Sequence, residues 1–274
     1  MPSEPGLNPR QSAEEQFRRG DLPACLLALQ AAVRKDPADA KLRIFLAQVL
    51  MVQGDWERAI NQLEVIRGMD ASALPMVHAY ETAIQCERVR AEVFAGTRGP
   101  LLFGEPEPWI AQLMQSLTLL GAGRVDQAAT VRAQALDEAP ARGGTMNGAA
   151  FEWVADADSR LGPMLEVLLN GAYYWVPMHR IARITIEAPS DARDLVWLPA
   201  QFLWSNGGEA MGMIPARYPG SESAEDPAIR LARKTEWRDL GTDTYLGLGQ
   251  RLLTTDNAEL GLLELRELSF EAAT

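Results

Sequence analysis

The stretch "AKLRIFLAQVLMVQGDWERAINQLEVIRG", residues 40–68, has the pattern of two amphipathic helices joined by a tight turn. Apolar residues at positions 42, 45, 46, 49 and 50 follow the i, i+3, i+4, i+7, i+8 spacing of a single helix face. The apolar pattern restarts at Trp56, so we expect Gly54 to end the first helix and Asp55 to cap the second. The stretch therefore predicts a helix–turn–helix pair.

Two related stretches flank this pair. "GDLPACLLALQAAVRKDP" begins at Gly20, 34 residues before Gly54, and "GRVDQAATVRAQALDEAP" begins at Gly123. The position where paired helices must approach closely holds a small residue in each copy: Cys25, Ala59 and Ala128. Because 34 residues is the tetratricopeptide period, we predict a tetratricopeptide-like α-superhelix. An extra helix is expected over about residues 74–95, followed by a Gly- and Pro-rich linker, 96–108.

The second half of the chain changes to the signals of short strands. Residues 142–163 have the composition of a boundary loop, and "MLEVLLNGAYYWVPM" (164–178) then contains two apolar runs joined by Asn170-Gly171. Residues 206–208, Asn-Gly-Gly, form a second turn signal, and "GLLELRELSF" is a final strand candidate. We predict an α+β protein: a helical domain, 1–145, followed by an antiparallel β-rich, small barrel-like domain, 155–274.

The aromatic strand "AYYWVP" is apolar on both faces. Alternation places Tyr173 and Trp175 on one face and Tyr174, Val176 and Met178 on the other. The first interpretation is a strand covered on both sides; a partner-binding patch is the alternative, because Tyr and Trp are favoured as interface anchors.

Composition and charge exclude several classes of function. The net charge is -11, with 15 basic and 18 acidic residues up to position 150 and 11 and 19 after it, so neither half is a nucleic-acid platform. Neither a run of about 18 apolar residues nor an apolar leader after Met1 is present, so we expect no membrane span and no signal peptide. Cys25 and Cys86 are expected to be buried thiols of a reducing compartment.

Candidate catalytic and metal-binding residues form no convincing constellation. His78 and His179 lack neighbours at metal-ligand spacing, and Ser205 lacks a nucleophile-elbow pattern. Four acids are expected to be solvated loop residues and caps rather than a metal site: Asp156, Asp158, Asp191 and Asp194. The segment 231–241 is expected to join two elements through ion pairs and a buried indole, Trp237. We predict no catalytic, cofactor-binding or metal residues, and no cofactor.

Five ordered blocks in the second half resemble the ImpE family, also called TagJ or SciE-type accessory proteins of type VI secretion. They are "DADSRLGPMLEVLLNGAYYWVP", "ITIEAPSDARDLVWLPA", "NGGEAMGMIPARYPGSE", "LARKTEW" and "GLGQRLLTTD", within residues 156–256. The resemblance implies a cytoplasmic, virulence-associated, non-enzymatic protein of a Gram-negative bacterium. It also implies binding to the N-terminal helix of the small subunit of the contractile sheath, and a link to the AAA+ unfoldase. The family offers no catalytic residue. Block residues that either hold the fold or form a surface are Arg217, Tyr218, Lys234, Trp237 and Arg251.

The inner groove of the helical repeats is the predicted site for such a partner helix. Repeat register directs these side chains inward: Ile44, Gln48, Met51, Val52, Ile110, Leu113, Leu117 and Leu120. The alternative is that they pack on neighbouring helices or on the β domain. Two other functions stay open: a chaperone for a secreted effector, and an enzyme with a polar pocket around Tyr173, His179 or Arg217.

Overall fold

Helices form the first half of the chain. The computed structural model describes residues 8–272. The helices before residue 140 are α1 (Pro9–Arg19), α2 (Leu22–Lys35), α3 (Ala40–Val52), α4 (Trp56–Met69), α5 (Leu74–Phe94), α6 (Pro108–Gly121) and α7 (Val125–Glu138). The glycines that begin the three repeats, Gly20, Gly54 and Gly123, have φ of 84°, 71° and 74°, which glycine adopts without steric penalty. The three repeat turns therefore share one backbone geometry.

The helices pack in the pairs that the repeat predicts: α1 with α2, α3 with α4, and α6 with α7. Asp21 and Asp55 cap α2 and α4 by accepting hydrogen bonds from the amides of Ala24 (2.9 Å) and Arg58 (3.3 Å). The small residues at the close-approach position are fully buried: Cys25, Ala59 and Ala128. The long helix α5 is the extra element between the second and third pairs.

Strands dominate the second half, and one further strand, β1, lies between α5 and α6. They are β1 (Leu101–Leu102), β2 (Gly144–Met146), β3 (Ala149–Phe151), β4 (Val154–Asp156), β5 (Met164–Leu169), β6 (Ala172–Pro177), β7 (Ile181–Ile186), β8 (Trp197–Trp204), β9 (Glu209–Pro215), β10 (Thr235–Asp239), β11 (Tyr245–Gly249), β12 (Leu252–Thr255), β13 (Glu259–Gly261) and β14 (Glu267–Phe270), with a short helix α8 (Pro227–Arg230). Nine strands form one sheet in the order β1-β6-β5-β9-β8-β7-β14-β2-β3. Its pairs are antiparallel except β1–β6, which is parallel. Two smaller antiparallel sheets, β10-β11 and β13-β12-β4, complete this half.

The large sheet separates two hydrophobic cores. One face contributes Tyr173, Trp175 and Trp197 to a core shared with the helices. The other face contributes residues from nearly every strand to a second core, including Phe151, Val176 and Phe202. Among the described strands the hydrogen-bonding order starts at β1 and ends at β3, without a pairing that closes the sheet into a barrel. Strand β6 is thus covered on both faces, as its sequence predicts.

Three sequence-based expectations differ from the structure. The predicted boundary loop, residues 142–163, contains β2, β3 and β4, because Asn147-Gly148 turns the chain with φ of 49° and 84° and makes a hairpin. The final strand candidate forms a strand only over Glu267–Phe270, after a 3-10 turn at Leu262–Glu264. The indole of Trp237 is not buried: the residue is 39% exposed on β10, one of the two strands of the β10-β11 sheet.

Cys25 and Cys86 are both buried free thiols, as predicted. Among helices within residues 8–272, none has the length and apolar composition needed to cross a bilayer. The N-terminal residues on which the absence of a leader was predicted include 1–7, which lie outside the described residues, as do residues 273–274 of the predicted β domain.

Candidate functional site

A buried chain of charged and polar side chains joins the two halves of the molecule. Arg90 of α5 donates to both carboxylate oxygens of Glu166 on β5, with its Nε at 2.6 Å from Oε1 and its Nη2 at 3.0 Å from Oε2. The Tyr173 hydroxyl donates to Glu166 Oε1 at 2.6 Å and accepts from Trp175 Nε1 at 2.7 Å. Arg90 Nη2 also donates to the carbonyl of Arg217 at 2.7 Å. The helical half is therefore fixed to the central sheet through its longest helix.

The chain of contacts continues into the β domain through Arg251. Arg251 Nη1 lies 3.1 Å from Glu166 Oε2, and its Nε and Nη2 donate to Asp156 Oδ2 at 2.9 and 2.6 Å. The Tyr218 hydroxyl donates to Asp156 Oδ1 at 3.0 Å and accepts the amide of Leu252. Two arginines and two carboxylates thus neutralise one another inside the protein, which is the condition for burying charge.

The two buried carboxyls respond oppositely to their surroundings. Burial alone would raise the pKa of Glu166, but the charges of Arg90 and Arg251 outweigh it and lower the pKa. For Asp156 burial prevails over Arg251 and raises the pKa to about 6. Because the pKa of Glu166 is lowered in the folded protein, its ionised carboxylate stabilises the fold at pH values above the ordinary pKa of glutamate. The raised pKa of Asp156 makes its contribution decline as pH rises from its ordinary value, 3.8, to about 6.

The surface predicted to bind a partner helix is mostly covered by the chain itself. Six of the predicted residues are buried: Gln48, Met51, Val52, Ile110, Leu113 and Leu117. Two are half-buried: Ile44 and Leu120. The β domain covers the end of α3, where Arg217 Nη1 donates to the carbonyl of Val52 at 2.8 Å. Beside it, Trp56 and Trp197 stack with ring centroids 5.8 Å apart.

An open groove remains at the beginning of α3, between α1 and the loop at residues 190–192. Its volume is about 490 Å³. The floor is apolar, since Phe17 and Phe45 meet edge-on with centroids 5.8 Å apart and Ile44 lies in the same groove. Gln48 lies at the inner end and donates weakly to the Tyr80 hydroxyl at 3.5 Å. Two of the predicted partner-binding residues, Ile44 and Gln48, therefore line an accessible groove.

The charges around this groove differ from those of the whole chain. Arg10, Arg18 and Lys41 line it together with the acids Glu14 and Asp191, a net charge of about +1 on a chain of net charge -11. Arg10 is paired with Glu14 at 3.1 Å and Arg18 with Glu15 at 2.7 Å, whereas Lys41 has no ion pair among residues 8–272. An apolar floor with a basic rim suits an amphipathic helix that carries acidic residues beside its apolar face.

The three residues proposed for an enzymatic pocket do not share one: His179 lines a cavity of about 400 Å³, but Tyr173 and Arg217 do not. Tyr173 is buried and bonded to Glu166, Arg217 is buried and bonded to backbone carbonyls of Val52 and Arg230, and His179 Nε2 lies 3.1 Å from Glu107 Oε1. Each side chain contacts a different part of the protein. Within residues 8–272, His, Cys, Asp and Glu side chains form no group that could hold a metal ion.

Two of the four acids expected to be solvated loop residues and caps differ from that expectation. Asp156 and Asp158 are buried, because Arg251 and Arg160 neutralise them; Arg160 pairs with Asp158 at 2.6 Å. Asp191 and Asp194 form the capping box of the short 3-10 helix Ala192–Leu195, which agrees with the expected capping role. Among the block residues, Arg217, Tyr218 and Arg251 hold the fold, being 4%, 0% and 1% exposed.

Sequence reasoning missed Arg90 and Glu166, the centre of the buried chain of contacts. One signal was available: Glu166 interrupts the strand "MLEVLL", whose six residues are all buried. A charge inside a fully buried strand requires a counter-charge from another element. The partner itself, Arg90, lies 76 residues away in a helix and carries no matching signal.

A tetratricopeptide-like helical array joined to a mainly antiparallel sheet, with a groove at its first helices, is a helical-repeat scaffold. A tetratricopeptide repeat model matches residues 16–84, and the model of the ImpE protein family matches residues 148–269. The type VI secretion system accessory component TagJ of Pseudomonas aeruginosa PAO1 is 52% identical over 259 residues, which cover 94% of this chain and 91% of TagJ. The chain therefore belongs to the ImpE/TagJ family of type VI secretion accessory proteins.

A solved structure supports the same fold. The crystal structure of protein VPA1032 from Vibrio parahaemolyticus has a TM-score of 0.85 and 26% sequence identity, covering 95% of this chain and 98% of that one. The predicted fold class, tetratricopeptide-like helices followed by an antiparallel β-rich domain, is confirmed.

Proposed function

We propose that this chain is a non-enzymatic, cytoplasmic adaptor of a type VI secretion system that binds the N-terminal helix of the sheath small subunit. The observation that carries the proposal is the open groove at α1 and α3. It combines an apolar floor with a basic rim in a family of secretion accessory proteins. Binding there presents a sheath subunit to the assembly or disassembly machinery.

The size and chemistry of the groove support a helical ligand. A partner helix inserts apolar side chains at i, i+3, i+4 and i+7 into such a groove, and acidic residues on its flank meet Lys41. Lys41 is exposed near the start of α3. Within residues 8–272 it forms no ion pair, so its charge is available to a partner.

The first experiment is a pull-down of the sheath small subunit, with and without its N-terminal helix, by the purified protein. We expect a complex that is lost when the helix is removed. A complex that survives the truncation would place the contact elsewhere. Recovery of a secreted effector, with no sheath subunit, would favour the chaperone alternative.

Variants then locate the contact on the groove. We expect Ile44→Asp and Lys41→Glu each to weaken binding of a labelled helix peptide by about tenfold, the factor that 1.4 kcal/mol represents. Lys35→Glu, at the end of α2, makes the same charge change outside the groove and is the matched control. Anisotropy titrations measure all three, and circular dichroism checks that each variant is folded.

The buried predicted residues serve a different purpose in this test. Met51 and Leu117 are 0% and 3% exposed, so an Asp at either position is expected to unfold the protein rather than to block a surface.

Equal loss of binding by the control Lys35→Glu and by Lys41→Glu would show that bulk charge, not the groove, governs the interaction.

A further inference from the structure

Strand β10 presents one backbone edge at the surface of the β domain. Among the described strands it pairs only with β11, in an unbroken antiparallel register that places Trp237 opposite Gly247. The amide of Gly247 donates to Asp158 Oδ2 at 2.7 Å, so it points away from β10. Opposed residues in an antiparallel pair either bond to each other or both point away, and the two kinds alternate. Trp237 therefore turns its amide and carbonyl outward.

The residues two positions before and after Trp237 turn outward in the same way. Their partners on β11 are Gly249 and Tyr245, whose amides donate to serine hydroxyls outside this sheet at 2.8 and 2.9 Å. Within residues 8–272 no further hydrogen bond reaches the backbone groups of Thr235, Trp237 or Asp239. The edge of β10 is therefore free to pair with another strand.

Both ends of the nine-stranded sheet are protected from such pairing. At β3, Asn257 Nδ2 donates to the carbonyl of Ala150 at 3.4 Å, and Asp256 accepts the amide of Glu152 at 2.8 Å. At the opposite end, β1 has only two residues. Proteins protect their sheet edges with covering segments, short strands, prolines or bulges. Strand β10, "TEWRD", has five residues, no proline and no bulge, and four of its residues are exposed.

The charges of β10 make this edge complementary to a second copy of itself. Glu236 and Arg238 flank Trp237, and both are exposed. In an antiparallel pair centred on Trp237, Glu236 of each subunit lies directly opposite Arg238 of the other, and such pairs of opposite charge stabilise a sheet. Arg238 forms no ion pair within residues 8–272. Glu236 contacts Lys234 at 2.5 Å, but its side chain is still 51% exposed.

The same charges disfavour the neighbouring registers. Because the outward backbone groups lie on alternate residues, the pairing can shift only in steps of two residues. One step places Glu236 opposite its own copy, and the other step does the same to Arg238. Like charges directly opposite destabilise a strand pair, so the sequence favours the twofold register around Trp237.

Trp237 supplies an apolar centre for this register. It is 39% exposed, and the ring of Tyr218 packs against it with centroids 5.6 Å apart. Alternation along β10 puts the indole on the face opposite to Glu236 and Arg238. The two indoles therefore meet across the twofold axis, and aromatic pairs between neighbouring strands add to the stability of a sheet.

We propose that a second copy of this chain pairs with the free edge of β10, making a continuous four-stranded antiparallel sheet, β11-β10-β10-β11, across a twofold axis. Trp237 pairs with its own copy, and Thr235 pairs with Asp239 of the partner subunit. Since short strands bury little area, we expect a dissociation constant on the order of micromolar. None of residues 234–239 lines the groove of α1 and α3, so this pairing is separate from the proposed binding of a helix.

Charge reversals test the register. Analytical ultracentrifugation of the full chain across the micromolar range, at about 0.15 M salt to screen the repulsion between two acidic subunits, measures each dissociation constant. We expect Glu236→Arg alone and Arg238→Glu alone each to weaken the dimer by about tenfold or more, because both cross-strand pairs then join like charges. An equimolar mixture of the two variants is expected to dimerise at least as tightly as wild type, because every pair again joins opposite charges.

Each variant is the control for the other, since the two reversals change the net charge in opposite directions. If bulk charge governed association, one variant would associate more tightly than wild type and the other more weakly. A wild-type protein that stays monomeric across the range would overturn the proposal. So would single variants that dimerise like wild type, or a mixture that fails to recover.

Amide hydrogen exchange separates backbone pairing from a contact of side chains alone. We expect exchange at Thr235, Trp237 and Asp239 to slow by about tenfold from dilute protein to the dimer. The amides of Glu236 and Arg238 already bond to β11, so their exchange is expected to stay unchanged. A dimer in which the Trp237 amide exchanges as fast as in the monomer would overturn the edge pairing.

Discussion

Glu166 shows what a single residue contributes to this fold. It is fully buried, accepts from Arg90 and Tyr173, forms an ion pair with Arg251, and lies between the helical half and the β domain. A buried pair can be replaced by apolar residues with little loss, but removing one partner leaves the other charge without compensation. The two arginines therefore make Glu166 far more important to stability than an exposed carboxylate.

We expect Glu166→Gln to lower the free energy of unfolding by about 3–5 kcal/mol at pH 7. Because the pKa of Glu166 is lowered in the folded state, its contribution is complete above the ordinary glutamate range and is lost as pH falls through the folded-state value. The difference between wild type and variant is therefore expected to shrink below pH about 4. Urea unfolding at pH 7 and pH 3.5 measures it.

Glu92→Gln is the control for this prediction. Glu92 pairs with Arg98 at 3.0 Å, but both side chains are more than half exposed, so the change is expected to be within about 0.5 kcal/mol at either pH. A Glu166→Gln variant as stable as Glu92→Gln would contradict the role assigned to the buried chain of contacts.

These buried charges also mark a limit of sequence reasoning. The partners of Glu166 and Asp156 lie 76 and 95 residues away, so no local pattern joins them. Asp156 was expected to be a solvated loop acid or a cap because it belongs to an acidic stretch with the character of a loop. Burial reversed that expectation, since Arg251 supplies a counter-charge that only the folded chain brings into place.

At the scale of elements, local signals predicted most of the architecture. Asn170-Gly171 and the glycines of the repeats form the turns that their sequences indicate. Asn147-Gly148 carries the same signal, but its flanking strands have only three residues each, too few for a visible alternation of apolar residues. These strands are held by the pairing of β2 with β14, a contact between distant parts of the chain.

Replacement of glycine by alanine is expected to have opposite effects on stability at two positions, one in a turn and one in a helix. Gly171 has φ of 84° and no close neighbour around an added Cβ, so Gly171→Ala is expected to destabilise by about 1 kcal/mol through backbone strain alone. Gly68, in helix α4, has open space around an added Cβ, and Gly68→Ala is expected to stabilise by up to about 1 kcal/mol. Thermal unfolding of the two variants measures the sign of each change in stability. Equal changes would contradict the positive φ assigned to the turn at Gly171.

At the scale of the whole molecule, the β domain occupies much of the inner surface of the helical repeats. Repeat register directs Met51 and Val52 towards the inner groove; in the structure both are buried, and Arg217 contacts that end of α3. A repeat pattern describes contacts between neighbouring repeats and carries no information about a domain that packs across them. The accessible part of the predicted site is therefore the end of α3 that holds Ile44.

The shared core predicts how the molecule unfolds. Trp175 and Trp197 of the sheet pack in one core with residues of α2–α6, and separation of the halves breaks the buried ion pair of Arg90 with Glu166. We expect urea unfolding followed by far-ultraviolet circular dichroism, which reports mainly the helices, to coincide with unfolding followed by tryptophan fluorescence. Loss of helix at a lower urea concentration would instead establish the predicted domains, 1–145 and 155–274, as independently folding units. Coincident transitions would mean that the repeats need the β domain for their stability, because its sheet completes their core.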